Sequence, residues 1–143
     1  PEKLLQEAPA AEADQTERVV RALSHPQVNL LGHPTGRLLG QREPYAIDLD
    51  AVIAAAREHD VALEINAHPA RLDLDDRWAR VAAQAGVPIA VNCDAHAPSD
   101  LELLRHGVLQ ARRAWLTAAQ VVNTWPLPRL RRFLAKEPGW RDA

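Results

Sequence analysis

The chain has 143 residues, 47% of them apolar and 25% charged, with a formal net charge of −2. That is the size and composition of one globular domain, or part of one, with a single core. No apolar run approaches the roughly 20 residues a membrane span needs, and no signal-peptide pattern is present. The single Cys93 excludes an internal disulfide, so the cytoplasm is the simplest expected compartment. The small net charge conceals an asymmetry. Residues 1–102 carry 9 basic and 17 acidic groups, whereas residues 103–143 carry 8 basic and 2 acidic. A basic final third can guide a polyanion, although a solvated arginine-rich helix face is the plainer reading. With no methionine and Pro1 first, a segment of a longer protein is expected.

Taken in chain order, residues 1–14 show weak periodicity and read as an arm or linker. Thr16, Val19, Val20 and Leu23 follow helical spacing, and Ser24-His25-Pro26 stops that helix. The apolar run Val28–Leu31 predicts a strand. Gly36, Gly40 and Pro44 make the next stretch a loop. Asp48 suits a helix cap ahead of the stripe Leu49, Val52, Ile53 and Ala56. A second strand is predicted over 61–65, then a helix started by Asp73 or Asp75 and stopped by Gly86. A third strand is predicted over 88–91. Beyond Pro98 the sequence predicts helices near 100–105, 108–115, 117–123 and 127–136. Short connections in a β-α-β-α-β order imply a parallel sheet of the α/β class.

The chemistry-bearing residues gather after the apolar runs. Ala62–His68 reads A-L-E-I-N-A-H and Ala90–His96 reads A-V-N-C-D-A-H. Strand alternation puts Glu64, Asn66 and His68 on one face, and Asn92, Asp94 and His96 on one face of the next strand. The first strand runs into Gly32-His33-Pro34. Carboxylates and imidazoles therefore converge at the carboxyl ends of three strands, where parallel α/β folds keep their chemistry. Asp94 and His96 pair a hard oxygen ligand with an imidazole, which suits Zn, Mn or Fe. Taken alone, Asp94 reads equally well as a helix cap. Glu64 and Asn66, polar within apolar strands, need partners: a metal, a ligand, or an arginine. Arg37, Arg42 and Arg71, in the loops after the first two strands, have the bidentate geometry that phosphate oxygens take. Cys93 has the opposite strand parity and reads as an inert buried thiol.

The runs LLGHPTGRLLGQREPYAIDLDAV, ALEINAHPARLDLDDRWAR and GVPIAVNCDAHAPSDLELLRHGVLQARRAWL resemble one known domain. It is the C-terminal part of the polymerase-and-histidinol-phosphatase (PHP) domain, in the form fused to bacterial family X DNA polymerases. The resemblance implies that residues 15–137 form the C-terminal portion of a metallophosphoesterase domain, a partial distorted (β/α)7 barrel, with 138–143 a tail. It implies divalent metal ions, Mn or Zn, with His33, Asp94 and His96 as ligands. Arg37, Asn66 and Arg71 would then bind substrate, and Glu64 and Asn92 would hold the ligands in place.

The implied activity is that of a 3′–5′ exonuclease module of a repair polymerase. Its partners would be DNA 3′ ends, the upstream half of the domain, and the polymerase domain of the same protein. Two alternatives stand beside it: a phosphatase for a small phosphate ester, and an inactive scaffold or DNA-binding remnant. The family's earlier ligands, among them a His-x-His pair and a Ser-x-His histidine, have no counterpart before His25. The family also usually has Asn where His68 stands and Thr where Cys93 stands. A fragment without its N-terminal ligands is expected to be weakly active or inactive.

Overall fold

Three short strands in sequence order, β1 (Leu30–Leu31), β2 (Ala62–Asn66) and β3 (Ile89–Asn92), form one parallel sheet. The computed structural model describes residues 2–142, with side chains from residue 11 onward. Five α-helices complete it: α1 (Glu2–Leu23), α2 (Leu49–Glu58), α3 (Asp76–Gln84), α4 (Leu104–Arg113) and α5 (Leu127–Leu134). The chain thus has the α/β character and parallel pairing that the alternating pattern predicts. No helix among the described residues is long and apolar enough to cross a membrane.

Most elements form for the expected local reasons. Asp48 caps α2 by accepting from the Ala51 N–H at 3.1 Å, and Leu49, Val52, Ile53 and Ala56 are all buried. Of the two candidate caps for α3, Asp75 takes the role, accepting from the Trp78 N–H at 2.8 Å. Gly86, at φ +85°, closes that helix in the left-handed conformation that glycine adopts freely.

Three expectations change. Helix α1 begins at Glu2, so the stretch read as an arm or linker is helical. Strand β1 is two residues long rather than four, because the Val28 N–H is taken by the His25 carbonyl in a turn. The helix predicted over 117–123 is instead two 3₁₀ turns, Ala118–Gln120 and Val122–Thr124. Between them Val121 makes a parallel bridge to Ile89. Asn123 holds this segment against β3, its amide accepting from the Val91 N–H and donating to the Val91 carbonyl at 2.8 and 3.0 Å. Two adjacent β-branched valines disfavour helix at this point, and tertiary pairing decides the outcome.

The main core lies between the sheet and α1–α4, with Leu63, Ile65 and Ile89 fully buried. Helix α4 approaches the sheet closely at Gly107, where a Cβ would lie 2.5 Å from Val91 Cγ1 and 2.7 Å from Ala67 Cβ. A separate aromatic cluster of Trp125, Phe133 and Trp140 packs with Ala62. That cluster sits at the amino ends of the strands, beside Val87 and Pro88. The opposite end is left to the loops.

Candidate active site

All three strands point the same way, so their exits form one polar rim. Each exit contains a residue in the left-handed region: His33 at φ +30°, Leu72 at +46° and Asp94 at +52°. Asp60, Trp115 and Lys136 also have positive φ, but each lies two residues beyond a helix, where such closure is common. His33 and Asp94 lie two residues beyond β1 and β3 instead. Non-glycine residues seldom adopt this conformation, and such strain gathers at functional sites.

Glu64 ties the three exits together. Its side chain is 6% exposed and accepts three hydrogen bonds. They come from the His33 backbone N–H after β1 at 2.6 Å, the Asn66 amide on β2 at 3.3 Å, and the Asn92 amide on β3 at 3.1 Å. The carboxyl group lies directly beneath the turn, where a Cβ at Gly32 would meet Glu64 Oε2 at an ordinary contact distance of 3.5 Å. The protein partners of the buried carboxyl are thus backbone and amide N–H groups rather than an arginine. Asn66, fully buried, turns its other face to the chain and accepts from the His68 N–H at 3.1 Å. Both asparagines are therefore fixed in orientation by the glutamate. Bonds to a carboxylate contribute roughly 1.5–3 kcal/mol each.

A second buried carboxyl organises the loop after β1. Asp73 is fully buried and accepts from the Thr35 and Gly36 N–H groups, each at 3.0 Å from Oδ2. Burial raises its pKa above the ordinary carboxylate value, although hydrogen bonds from Thr35 and Gly36 and the nearby Arg37 pull the other way. Tyr45 closes the same loop, donating from its hydroxyl to the Pro34 carbonyl at 2.7 Å. Gly36 is required here twice over, by its φ of +63° and because a Cβ would lie 2.3 Å from the Tyr45 ring.

Arginines lock this loop to the one after β2. Arg37 donates from Nε to the Arg71 carbonyl at 2.8 Å and from Nη2 to the Leu72 carbonyl, while Nη1 lies 3.8 Å from Asp75. Arg71 returns a long bond of 3.4 Å to the Arg37 carbonyl, and Arg42 binds the Gly36 carbonyl at 2.9 Å. These contacts use several of the donors that the sequence reading reserves for phosphate oxygens. The loops reach the site already stapled to one another.

The imidazoles differ in what they have free. His33, His68 and His96 are all exposed. His68 Nδ1 accepts from the Ala70 N–H at 3.1 Å, so a neutral ring carries its proton on Nε2. His96 Nδ1 lies 2.6 Å from the Asp94 carbonyl oxygen. With the proton on Nδ1, that contact is a hydrogen bond and leaves the Nε2 lone pair free, the arrangement a metal ligand needs. Asp100 steadies the loop by accepting from the His96 and Ala97 N–H groups at 2.9 and 3.0 Å, which lowers its own pKa. Among the described residues, no group of three His, Cys, Asp or Glu side chains is gathered closely enough to hold a metal ion. The donor types, imidazole and carboxylate, are those that suit a divalent ion.

The structure brings together Glu64, Asn66, Asn92 and the His33 backbone, and sets Asp94 and His96 on the exit of the neighbouring strand. It gives Arg37 and Arg71 to the loop backbone. Sequence reasoning missed Asp73, taken as a helix start, and Asp100. The signal for Asp73 was present in the run Asp73-Leu74-Asp75-Asp76: one carboxylate caps a helix, and an apolar neighbour draws another inward.

No family model matches the chain. It is 40% identical over 119 residues to "DNA polymerase/3'-5' exonuclease PolX" of Bacillus subtilis (strain 168), covering 83% of this chain and 21% of that protein. It is 30% identical over 115 residues to a probable phosphatase of Thermoanaerobacter sp. (strain X514), covering 76% of this chain and 44% of that one. A probable phosphatase of Clostridium acetobutylicum is 30% identical over 94 residues, 62% of this chain and 36% of the relative. The chain therefore spans about a fifth of the polymerase and less than half of the phosphatases.

Proposed function

We propose, from the fact that the chain belongs to the family of the C-terminal part of the PHP domain of bacterial family X DNA polymerases, that it is one portion of a metal-dependent phosphoesterase. On this reading it belongs to a 3′–5′ exonuclease module, acts on DNA 3′ ends, and works beside an upstream half-domain and a polymerase domain. The observation that carries the reading is the rim itself: two left-handed residues, His33 and Asp94, on parallel strand exits joined through buried Glu64. Parallel α/β folds place reaction centres at that end.

Within this reading His33, Asp94 and His96 contribute ligands to a site completed by groups outside these residues. The ions, Mn or Zn, would activate water and neutralise phosphate oxygens. Glu64 would take no part in proton transfer. Its hydrogen bonds fix the His33 turn and the two asparagine amides, so that partly exposed Asn92 can present a rigid polar group to a substrate, whereas buried Asn66 holds the rim from beneath rather than meeting the substrate. Arg37 and Arg71 would position the loops that approach the phosphate rather than clamp it with free guanidinium forks, because most of their donors are already bound. A barrel-like arrangement fits the parallel order and the bridge that Val121 adds beside β3.

A phosphatase for a small ester is the second reading, and the probable phosphatases favour it because the chain covers more of their length than of the polymerase. Calorimetric titration of the chain with Mn²⁺ tests the common premise. Weak binding that disappears in the H33A/D94A/H96A triple variant is expected, since affinity follows ligand number and geometry. Binding unchanged in that variant would remove the site. Hydrolysis of single-stranded oligonucleotide against a small phosphomonoester, at equal Mn²⁺, separates exonuclease from phosphatase, and tight Mn²⁺ binding with robust turnover by this chain alone would overturn the incomplete site. An inactive scaffold would bind no Mn²⁺ at these residues.

A further inference from the structure

The amino ends of the strands carry a second feature that the phosphoesterase reading does not use. A cleft of about 220 Å³ lies between α3, the 3₁₀ turn at Ala118–Gln120 and the aromatic cluster. Its lining includes the donor side chains of Gln120, Arg129 and Arg141. Arg129 and Arg141 stack on Trp125 and Trp140, their guanidinium carbons 4.1 and 4.3 Å from the ring centroids. Gln120 has its amide oxygen occupied by the Thr117 N–H and hydroxyl at 2.9 and 3.2 Å, which leaves its NH₂ group to donate. Two buried donors in the lining, Arg129 Nε and Trp140 Nε1, have no acceptor among the described residues. Both nitrogens lie beneath the surface of the cleft, so the donors that a ligand can reach are the Arg129 Nη groups, which have no partner among the described residues, and the Gln120 NH₂ group.

The field is not uniform. Arg141 is paired with Asp60 at 2.7 Å, and Ala83 and Gly86 bring the carboxyl end of α3 to the rim. Arg129 has no carboxylate partner within 4 Å among the described residues. It therefore carries the uncompensated charge of the cleft. Stacking on Trp125 fixes the plane of its guanidinium, which reduces the entropy lost when a ligand binds.

We propose that this cleft is an oxyanion site for a single phosphate group, distinct from the rim at the carboxyl ends of the strands and centred on Arg129. Its volume accommodates a tetrahedral anion with several waters, each water taking about 30 Å³. Arg129 supplies the charge through its Nη groups, and Gln120 supplies a neutral N–H donor. The group is either free inorganic phosphate or the phosphodiester of a nucleic acid strand lying across the cleft.

The test titrates inorganic phosphate into the 143-residue chain at constant ionic strength, with chloride as the reference anion. Tryptophan fluorescence and the Arg129 Nε–H resonance are followed together. Saturable binding with a shift of that resonance is expected, weakened about tenfold or more in Arg129→Gln and less in Arg129→Lys. A parallel titration with a single-stranded oligonucleotide identifies the source. Weakening by Arg129→Gln in proportion assigns a phosphodiester; weakening for inorganic phosphate alone assigns the free anion. Chloride acting as well as phosphate, an unmoved Arg129 Nε–H resonance in the parent, or equal affinity in Arg129→Gln would overturn the site. The parent spectrum decides even if the variants fail to fold.

Discussion

The two ends of the sheet are built from different materials. At the carboxyl ends, hydrogen bonds to two buried carboxyl groups, Glu64 and Asp73, hold the loops in place. At the amino ends, Trp125, Phe133 and Trp140 close the fold by contact, with ring centroids 4.9–5.6 Å apart and guanidinium groups laid over two of the rings. Apolar packing is additive and forgiving of small changes in direction. Hydrogen bonds to a buried carboxyl are directional, and losing one partner leaves the others exposed to a desolvation cost. The difference teaches where chemistry can be kept. A polar rim fixed by direction can hold several ligands in register, whereas an aromatic cap holds the ends shut and fixes only the guanidinium groups stacked on it.

The sharpest way to break this comparison is to remove the centre of the cap. Phe133 is 2% exposed and packs edge-on against both tryptophans. Phe133→Ala is expected to destabilise the chain by about 3–5 kcal/mol in urea unfolding, through lost transfer energy and the cavity left behind. Amide exchange of the 33–36 loop, read under conditions where the variant stays folded, should be little altered if the ends are independent. Accelerated exchange there would show that the aromatic cap also supports the rim.

The complementary change is Asp73→Ala, which leaves the Thr35 and Gly36 N–H groups buried without an acceptor. A loss of about 2–3 kcal/mol is expected. Asp73→Asn retains one acceptor and reports on charge. Because burial raises the folded pKa of Asp73 above 3.8, the folded chain binds its proton more tightly than the unfolded chain. The favourable contribution is therefore complete below the unfolded pKa and is lost as pH rises through the folded pKa. The stability of the parent relative to Asp73→Asn should fall across that window and level off above it. A difference that rises with pH would mean that the hydrogen bonds from Thr35 and Gly36 outweigh burial.

Much of this was legible in the sequence because the determining signals are local. Period-two polar residues in apolar runs gave the shared face of Glu64, Asn66 and Asn92, and Asp48 and the apolar stripe gave α2. The position of His33, Asp94 and His96 after their strands followed from the β-α-β-α-β order. What stayed hidden depends on contacts between distant segments. Nothing local reveals that Asn123 grips Val91 across the sheet, or that Asp73 reaches back 38 residues to Thr35. The protein partners of Glu64 stayed hidden for the same reason: strand spacing says that a carboxyl is buried, while only register says that two amides and a backbone N–H meet it. The carbonyl acceptors of Arg37, on Arg71 and Leu72, carry no side-chain signature, so its bonds to the loop backbone could not be read from the sequence.

The smallest expected effect on stability concerns arginines on opposite ends of the sheet. Arg112 and Arg113 are exposed near the carboxyl ends, and Arg113 pairs with Asp76 at 3.2 Å, with 71% of its side chain accessible. Arg129 and Arg141 near the amino ends lie against indole rings. Exposed ion pairs contribute little, so replacing Arg112 and Arg113 by Ala should leave stability within about 0.5 kcal/mol of the parent. If these two guide a nucleic acid strand toward the rim, binding of a single-stranded oligonucleotide should fall steeply with salt, because phosphate contacts release counterions. The double variant should then show a flatter slope of log affinity against log salt. An unchanged slope would return Arg112 and Arg113 to the role of solvating α4, and would leave the amino-end cleft as the stronger candidate for phosphate contact.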